Sequence, residues 1–192
     1  MSNDPYAAPT ADLHTDAAAI ETSIWSAKGR LGVLSYLGQS LLMIIVMMVV
    51  MGILAALVGV LSGGMENIAG AMEGGDFSNP AIIIAAVVFI PLILLMTYIG
   101  VCLLIKRLHD RGHSGWWSLA LIVVSMIPLV GLIAILGYIY VMFFPGNKFA
   151  NRFGGQRTTK GWEKILGILY IILIVGSIVG SIGALVFFGA GV

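Results

Sequence analysis

The run Leu41–Leu61 is 21 consecutive residues of Leu, Met, Ile, Val, Ala and Gly, with no polar side chain among them. As a helix it covers about 30 Å, the thickness of a bilayer's hydrocarbon core. Three more apolar segments follow: Ala81–Ile105, Trp116–Phe144 and Ile165–Phe188, of 25, 29 and 24 residues. Such runs leave the chain one economical fold class, an all-α polytopic transmembrane helical bundle. Composition agrees: 59% of residues are apolar and 10% charged, against about 45–50% and about 25% in soluble domains. Net charge is +1, which gives no footprint for nucleic acid.

The segments define three regions. Residues 1–19 are rich in Ala, Pro, Asp and Thr and read as a disordered tail, unable to bury enough apolar surface to offset chain entropy. The first 21 residues hold Asp4, Asp12, Asp16 and Glu21 and no Lys or Arg, unlike a secretory signal peptide. Residues 20–164 form the main membrane domain, and 165–192 add a C-terminal transmembrane helix. Ile20, Ile24, Leu31 and Leu34 recur at helical offsets and predict an interfacial helix feeding the first span, with Gly29 and Gly32 against its continuity.

Charge sorts the connections. Ser62–Pro80 carries Glu66, Glu73 and Asp76 and no basic residue, whereas Lys106–Gly115 carries three basic residues and Pro145–Lys164 five. The positive-inside rule puts the N-terminus and both basic loops in the cytoplasm. Four full spans would place the two basic loops on opposite sides. A straight 29-residue helix over Trp116–Phe144 would run about 43 Å. Broken near Pro128 and Gly131 it becomes a re-entrant hairpin, which keeps all ten Lys and Arg on one side. Three spans plus this Pro-broken hairpin is the preferred topology; four spans, with a tilted third helix, is the alternative.

The densest polar stretch is Arg107-Leu108-His109-Asp110-Arg111-Gly112-His113-Ser114-Gly115-Trp116-Trp117. Read plainly, it is a membrane-surface anchor: snorkelling cations, an Asp110 pairing with Arg107 or Arg111, and an aromatic belt. Read as a site, it holds an anion through Arg107 and Arg111, with His109 and Asp110 orienting the ligand and Ser114 capping the next helix. Asn151 and Arg152 in the second basic loop, and Arg30 before the first span, are candidates to join it. His109 and His113 are four apart but lack a third ligand, so no metal is expected. Met43, Met47 and Met51 suit soft packing better than copper. Gly176, Gly180 and Ala184, at i, i+4 and i+8, form a small-residue face for close helix packing, within the chain or against another copy. The lone Cys102 cannot pair within the chain. No nucleophile, phosphate loop or cofactor motif is present, so neither an enzyme nor a cofactor is expected.

These residues carry a resemblance. Arg107-Leu108-His109-Asp110, Ser114-Gly115-Trp116-Trp117, Pro128 with Gly131, Pro145-Gly146 and Asn151-Arg152-Phe153-Gly154 resemble the bacterial domain-of-unknown-function family 805, the YhaH-like inner membrane proteins. Lys28-Gly29-Arg30-Leu31-Gly32 with Tyr36 is similar to that family's opening, although Val33 and Ser35 stand where further basic residues are usual. The similarity covers roughly residues 26 to 156. It implies a helical, multi-pass protein of the bacterial cytoplasmic (inner) membrane and names no activity. The expected role is therefore a membrane protein binding an anionic ligand or lipid headgroup at the cytoplasmic face. A small transporter or channel subunit, or a structural or assembly partner, are the alternatives. The partners implied are membrane lipids and, through the last helix, a homo-oligomer.

Overall fold

A computed structural model describes residue 21 and residues 23–189; the tail at 1–19 lies outside them. The described chain is helical, with α1 (Val33–Leu61), α2 (Met65–Glu73), α3 (Pro80–Asp110), α4 (Trp116–Ser125), α5 (Gly131–Phe143) and α6 (Gly161–Gly189). Three of these, α1, α3 and α6, are long and apolar enough to cross a membrane. With 29, 31 and 29 residues, they run about 44–46 Å, enough for the hydrocarbon and both headgroup layers. Their outer faces stay apolar: Val60, Val87 and Leu185 are 79%, 69% and 74% exposed, as suits surfaces solvated by lipid.

The apolar segment 116–144 is two short helices. α4 has 10 residues and α5 has 13, about 15 and 20 Å, so neither spans. Between them Leu129 takes φ 66°, a left-handed conformation uncommon outside glycine, immediately after Pro128 has interrupted the helix. The two pack closely; a Cβ on Gly137 would lie 2.5 Å from a Leu121 methyl. The chain returns to the end it left, because Asn147 N–H donates to the Asp110 carbonyl at 2.8 Å. Three spanning helices plus a Pro-broken hairpin is the arrangement found.

Local chemistry sets the ends of α3. Asn79 Oδ1 accepts from Ala81 N–H at 2.9 Å, and Pro80 opens the helix; both are N-terminal signals. At the other end Gly112 takes φ 76°. Gly112 N–H bonds the His109 carbonyl and His113 N–H the Leu108 carbonyl, both at 3.0 Å. This is a Schellman cap, which favours glycine because of its positive φ.

Three local expectations need correcting. Of the interfacial helix expected over Ile20, Ile24, Leu31 and Leu34, Ile20 lies outside the described residues, residues 23–32 contain no helix and Leu34 already belongs to α1; Gly29 at φ 85° turns the chain there and delivers Arg30 to the interior. Ser114 does not cap α4: Gly115 is the N-cap and no side chain bonds there. The acidic connection, read as loop, holds the short helix α2, whose Ile68 packs with Val58 and Ala81.

α6 docks on α1 through two glycines. A Cβ on Gly38 would fall 2.4 Å from the Glu163 carbonyl oxygen, and one on Gly167 would fall 2.7 Å from the Leu34 carbonyl oxygen. Gly176 and Gly180, expected as packing positions, meet nothing within 4 Å. Backbone against backbone cannot be relieved by a rotamer change, so Gly38→Val should destabilise by about 1–3 kcal/mol or more. Gly176→Val should stay within about 0.5 kcal/mol. Thermal unfolding of the two variants in detergent, compared side by side, checks the difference.

Candidate functional site

At the basic end of the bundle, Asp110 lies between two arginines. Its Oδ1 accepts from Arg30 Nη2 at 3.0 Å and Nε at 3.2 Å; its Oδ2 accepts from Arg107 Nη1 at 2.6 Å. Gln156 Nε2 bridges both oxygens at 3.0 and 3.2 Å. Arg30 is 2% exposed, and Arg107 and Asp110 are 0%. The cluster draws on four separate segments: the entry to α1, the end of α3, the loop after α5 and the approach to α6.

The guanidinium groups are nearly saturated. Beyond Asp110, Arg30 donates to the carbonyls of Phe149, Gly154, Asn147 and, at 3.4 Å, Asp110 itself. Arg107 donates to those of Val141, Leu31 and Phe144. Arginine has five N–H donors, and Arg30 uses all five while Arg107 uses four. Two cations against one carboxylate leave one positive charge buried, and the carbonyl dipoles solvate it in place of water. These two arginines hold the α3 end, the α1 entry and the loop after α5 together, with almost no capacity left for a ligand. The same loop explains Pro145-Gly146: a Cβ on Gly146 would sit 1.8 Å from Asp110 Oδ2.

The other predicted residues form a rim around this lock. The ring of His109 stacks on Phe153 at 3.7 Å and 8°. Asn151 Nδ2 donates to the His109 carbonyl at 2.9 Å, its Oδ1 accepts from Phe153 N–H, and an Asn151–Gly154 bridge closes the turn. Arg111 lies 3.5 Å above the Tyr140 ring and donates to the Tyr140 carbonyl. Arg152 is exposed, donates to the Gly112 carbonyl at 3.2 Å and lies 4.8 Å from the Phe153 ring. His113 Nε2 is 3.2 Å from the Tyr140 hydroxyl. Neither Arg111 nor Arg152 has a carboxylate within 4 Å among the described residues. Ser114 stands beside the rim and contributes no cap. So Arg30, Arg107 and Asp110 converge in the interior, while Arg111, Asn151 and Arg152 share the surface above them. No group of three or more potential metal ligands occurs among the described residues.

A second polar cluster was not anticipated. Glu163, 0% exposed, accepts from Ser35 Oγ at 3.0 Å, Gln39 Nε2 at 2.7 Å, Lys160 N–H at 2.9 Å and the Arg157 guanidinium. It ties the first turn of α6 to the first turns of α1. The signal available was a lone acid two residues before an apolar run, a position where a charge calls for a partner. Gln156, which completes the Asp110 shell, had no sequence signal beyond its place in the basic loop.

The family model described as "Protein of unknown function (DUF805)" matches residues 24–155. This chain belongs to the DUF805 family. Arg30, Arg107 and Asp110 all fall within the matched region, and α6 with its Glu163 anchor lies beyond it. No curated protein and no solved structure matches the chain. The DUF805 region thus holds α1 to α5, with the α1 entry, the α3 end and the loop after α5 meeting around one buried carboxylate, and α6 is fastened to it by a separate one.

Removing one partner of a buried ion pair costs about 3–5 kcal/mol, because the remaining charge is left uncompensated. Asp110→Asn should therefore sharply reduce the yield of monodisperse protein in detergent, whereas Arg152→Gln should leave it within error. Size-exclusion profiles and melting curves of the two variants test this. Glu163→Gln should be milder, loosening α6 while the DUF805 core persists; limited proteolysis would show cleavage confined to the 156–165 region.

Proposed function

We propose that this DUF805 protein is a multi-pass protein of the bacterial cytoplasmic membrane, its N-terminus and basic end facing the cytoplasm, that holds an anionic lipid headgroup or ligand at that end. One observation carries the reading. The hairpin returns the chain, so all ten Lys and Arg gather at one end of the bundle, while Glu66, Glu73 and Asp76 belong to the opposite connection. Each basic side chain near an anionic leaflet contributes about 1 kcal/mol of attraction. Arg111 and Arg152 are the contact residues of choice: both stand over aromatic rings, neither has a carboxylate partner among the described residues, and a planar guanidinium suits phosphate. Arg30, Arg107 and Asp110 position that surface, and His109 and Asn151 fix the Phe153 turn beneath Arg152. The reading calls for no enzyme and no cofactor.

Two measurements test it. Lys148→Cys and Glu73→Cys, each in a Cys102→Ser background, replace exposed residues at opposite ends. In intact spheroplasts an impermeant maleimide should label Cys at 73 and spare Cys at 148 until permeabilisation; the reverse pattern defeats the orientation. Arg111→Gln with Arg152→Gln should reduce binding of the purified protein to phosphatidylglycerol-containing vesicles without lowering its melting temperature. Unchanged binding would remove the headgroup role.

A second reading, self-assembly, is favoured by the bare face of α6. Gly176 and Gly180 meet nothing within 4 Å, and Ala184 continues that stripe one turn on. Such faces allow helices to approach closely in lipid. Disulfide crosslinking of Gly180→Cys in the Cys102→Ser background should give a dimer band if copies pair there.

A further inference from the structure

Between α1, α3 and the start of α6 lies a cleft of about 460 Å³, within the range of small-molecule sites. Its wall changes character along its length. Leu42, Val46, Met96 and Ile99 line one part, and Gln39, Glu163, Arg157 and Lys160 line the other. From Gln39 to Val46 is seven residues, so the apolar part extends about 10 Å along the spans. Leu42 and Trp162, both on its wall, are 40% and 42% exposed, so the cleft opens to the surroundings at the depth where a span leaves the headgroups for hydrocarbon.

On the wall Glu21 and Glu163 match Arg157 and Lys160 in number, and Lys106, buried just behind the wall, adds one positive charge. Arg157 pairs with Glu163, and Lys160 lies 3.9 Å from Glu21 in a pair that is more than half exposed on both sides. Lys106 is 2% exposed. One turn beyond the cleft-lining Leu103 on the same face of α3, it has no carboxylate within 4 Å among the described residues. Its ammonium carries three donors, and the acceptor it finds among those residues is the carbonyl of Ser23, at 2.6 Å, itself a residue of the cleft wall. A buried ammonium without a counter-ion is costly, and an anion at this end of the cleft would offset it.

We propose that the cleft binds an anionic phospholipid from the surrounding bilayer, one acyl chain lying along Leu42, Val46, Met96 and Ile99 and the phosphate held at the Lys106, Arg157 and Lys160 end. The apolar wall asks for a chain, the surplus cation for an acid, and the lateral opening for a molecule that arrives through the membrane. This site uses neither Arg111 nor Arg152, so it stands or falls apart from the surface rim.

Trp162 on the wall is a built-in reporter. With Trp25, Trp116 and Trp117 replaced by Phe, the full chain is reconstituted in vesicles mixing phosphatidylcholine with a brominated-chain phospholipid, either phosphatidylglycerol or phosphatidylcholine. Brominated phosphatidylglycerol should quench Trp162 with about fivefold preference over brominated phosphatidylcholine, the factor one uncompensated cation provides. Lys106→Gln should remove most of that preference and Lys160→Gln should reduce it, and Val46→Phe with Met96→Phe, which fills the apolar part, should weaken quenching by both lipids. Excess inorganic phosphate should not displace the lipid. Equal quenching by the two lipids in the otherwise unaltered chain overturns the proposal. So does a preference that survives both the Lys106 and the cleft-filling changes, or displacement by inorganic phosphate, which would mark a site for free anions. Loss of vesicle binding in the Arg111 and Arg152 variants with Trp162 quenching intact would separate the rim from the cleft.

Discussion

The carboxylate of Asp110 is the interaction on which the basic end of this molecule depends. It accepts from Arg30, Arg107 and Gln156 at once; Arg30 lies near the start of the DUF805 region, Arg107 within it, and Gln156 immediately after its end. In a bilayer, helices gain little from hydrophobic association, because lipid tails are as apolar as their side chains. Buried polar contacts and close backbone packing must then set how the helices meet. Here the polar contact fixes the ends and the glycines at 38, 137 and 167 fix the separations. The arginines could not enter the interior without the carboxylate, and the carboxylate could not without them.

This division of labour bears on function. Polar residues that look like a ligand set in sequence are split by depth. Arg30 and Arg107 spend their donors on Asp110 and backbone carbonyls, whereas Arg111 and Arg152 remain at the surface against Tyr140, Phe144 and Phe153. A substitution at the first pair acts on folding; one at the second acts on whatever the surface meets. The two classes are separable by experiment because the hairpin and the Schellman cap at Gly112 hold the rim in place from below.

α6 extends the same logic beyond the family region. Glu163 repeats Asp110 in miniature: a fully buried acid between an arginine, a glutamine and a serine. It anchors an apolar helix that packs along α1 and is exposed from Val175 to Phe187. Beside the anchor lies the cleft between α1, α3 and the start of α6.

The amino-acid pattern by itself determined the membrane class and the number of apolar segments, which are properties of runs and hold for any arrangement that buries apolar length in lipid. It left two topologies, and the structure chose the break at Pro128 that gathers the basic residues at one end. Asn79-Pro80 and Gly112 likewise announce the ends of α3, since caps act over a few residues. Only the tertiary structure decided which arginines face inward, because that depends on where the α1 entry and the loop after α5 cross the end of α3. It decided that Gly167, and not Gly176 or Gly180, takes the close approach, since small residues permit contact without choosing a partner. And it revealed Glu163, Gln156 and a buried Lys106 with no carboxylate beside it among the described residues: each gets its meaning from neighbours distant along the chain, which no local pattern encodes.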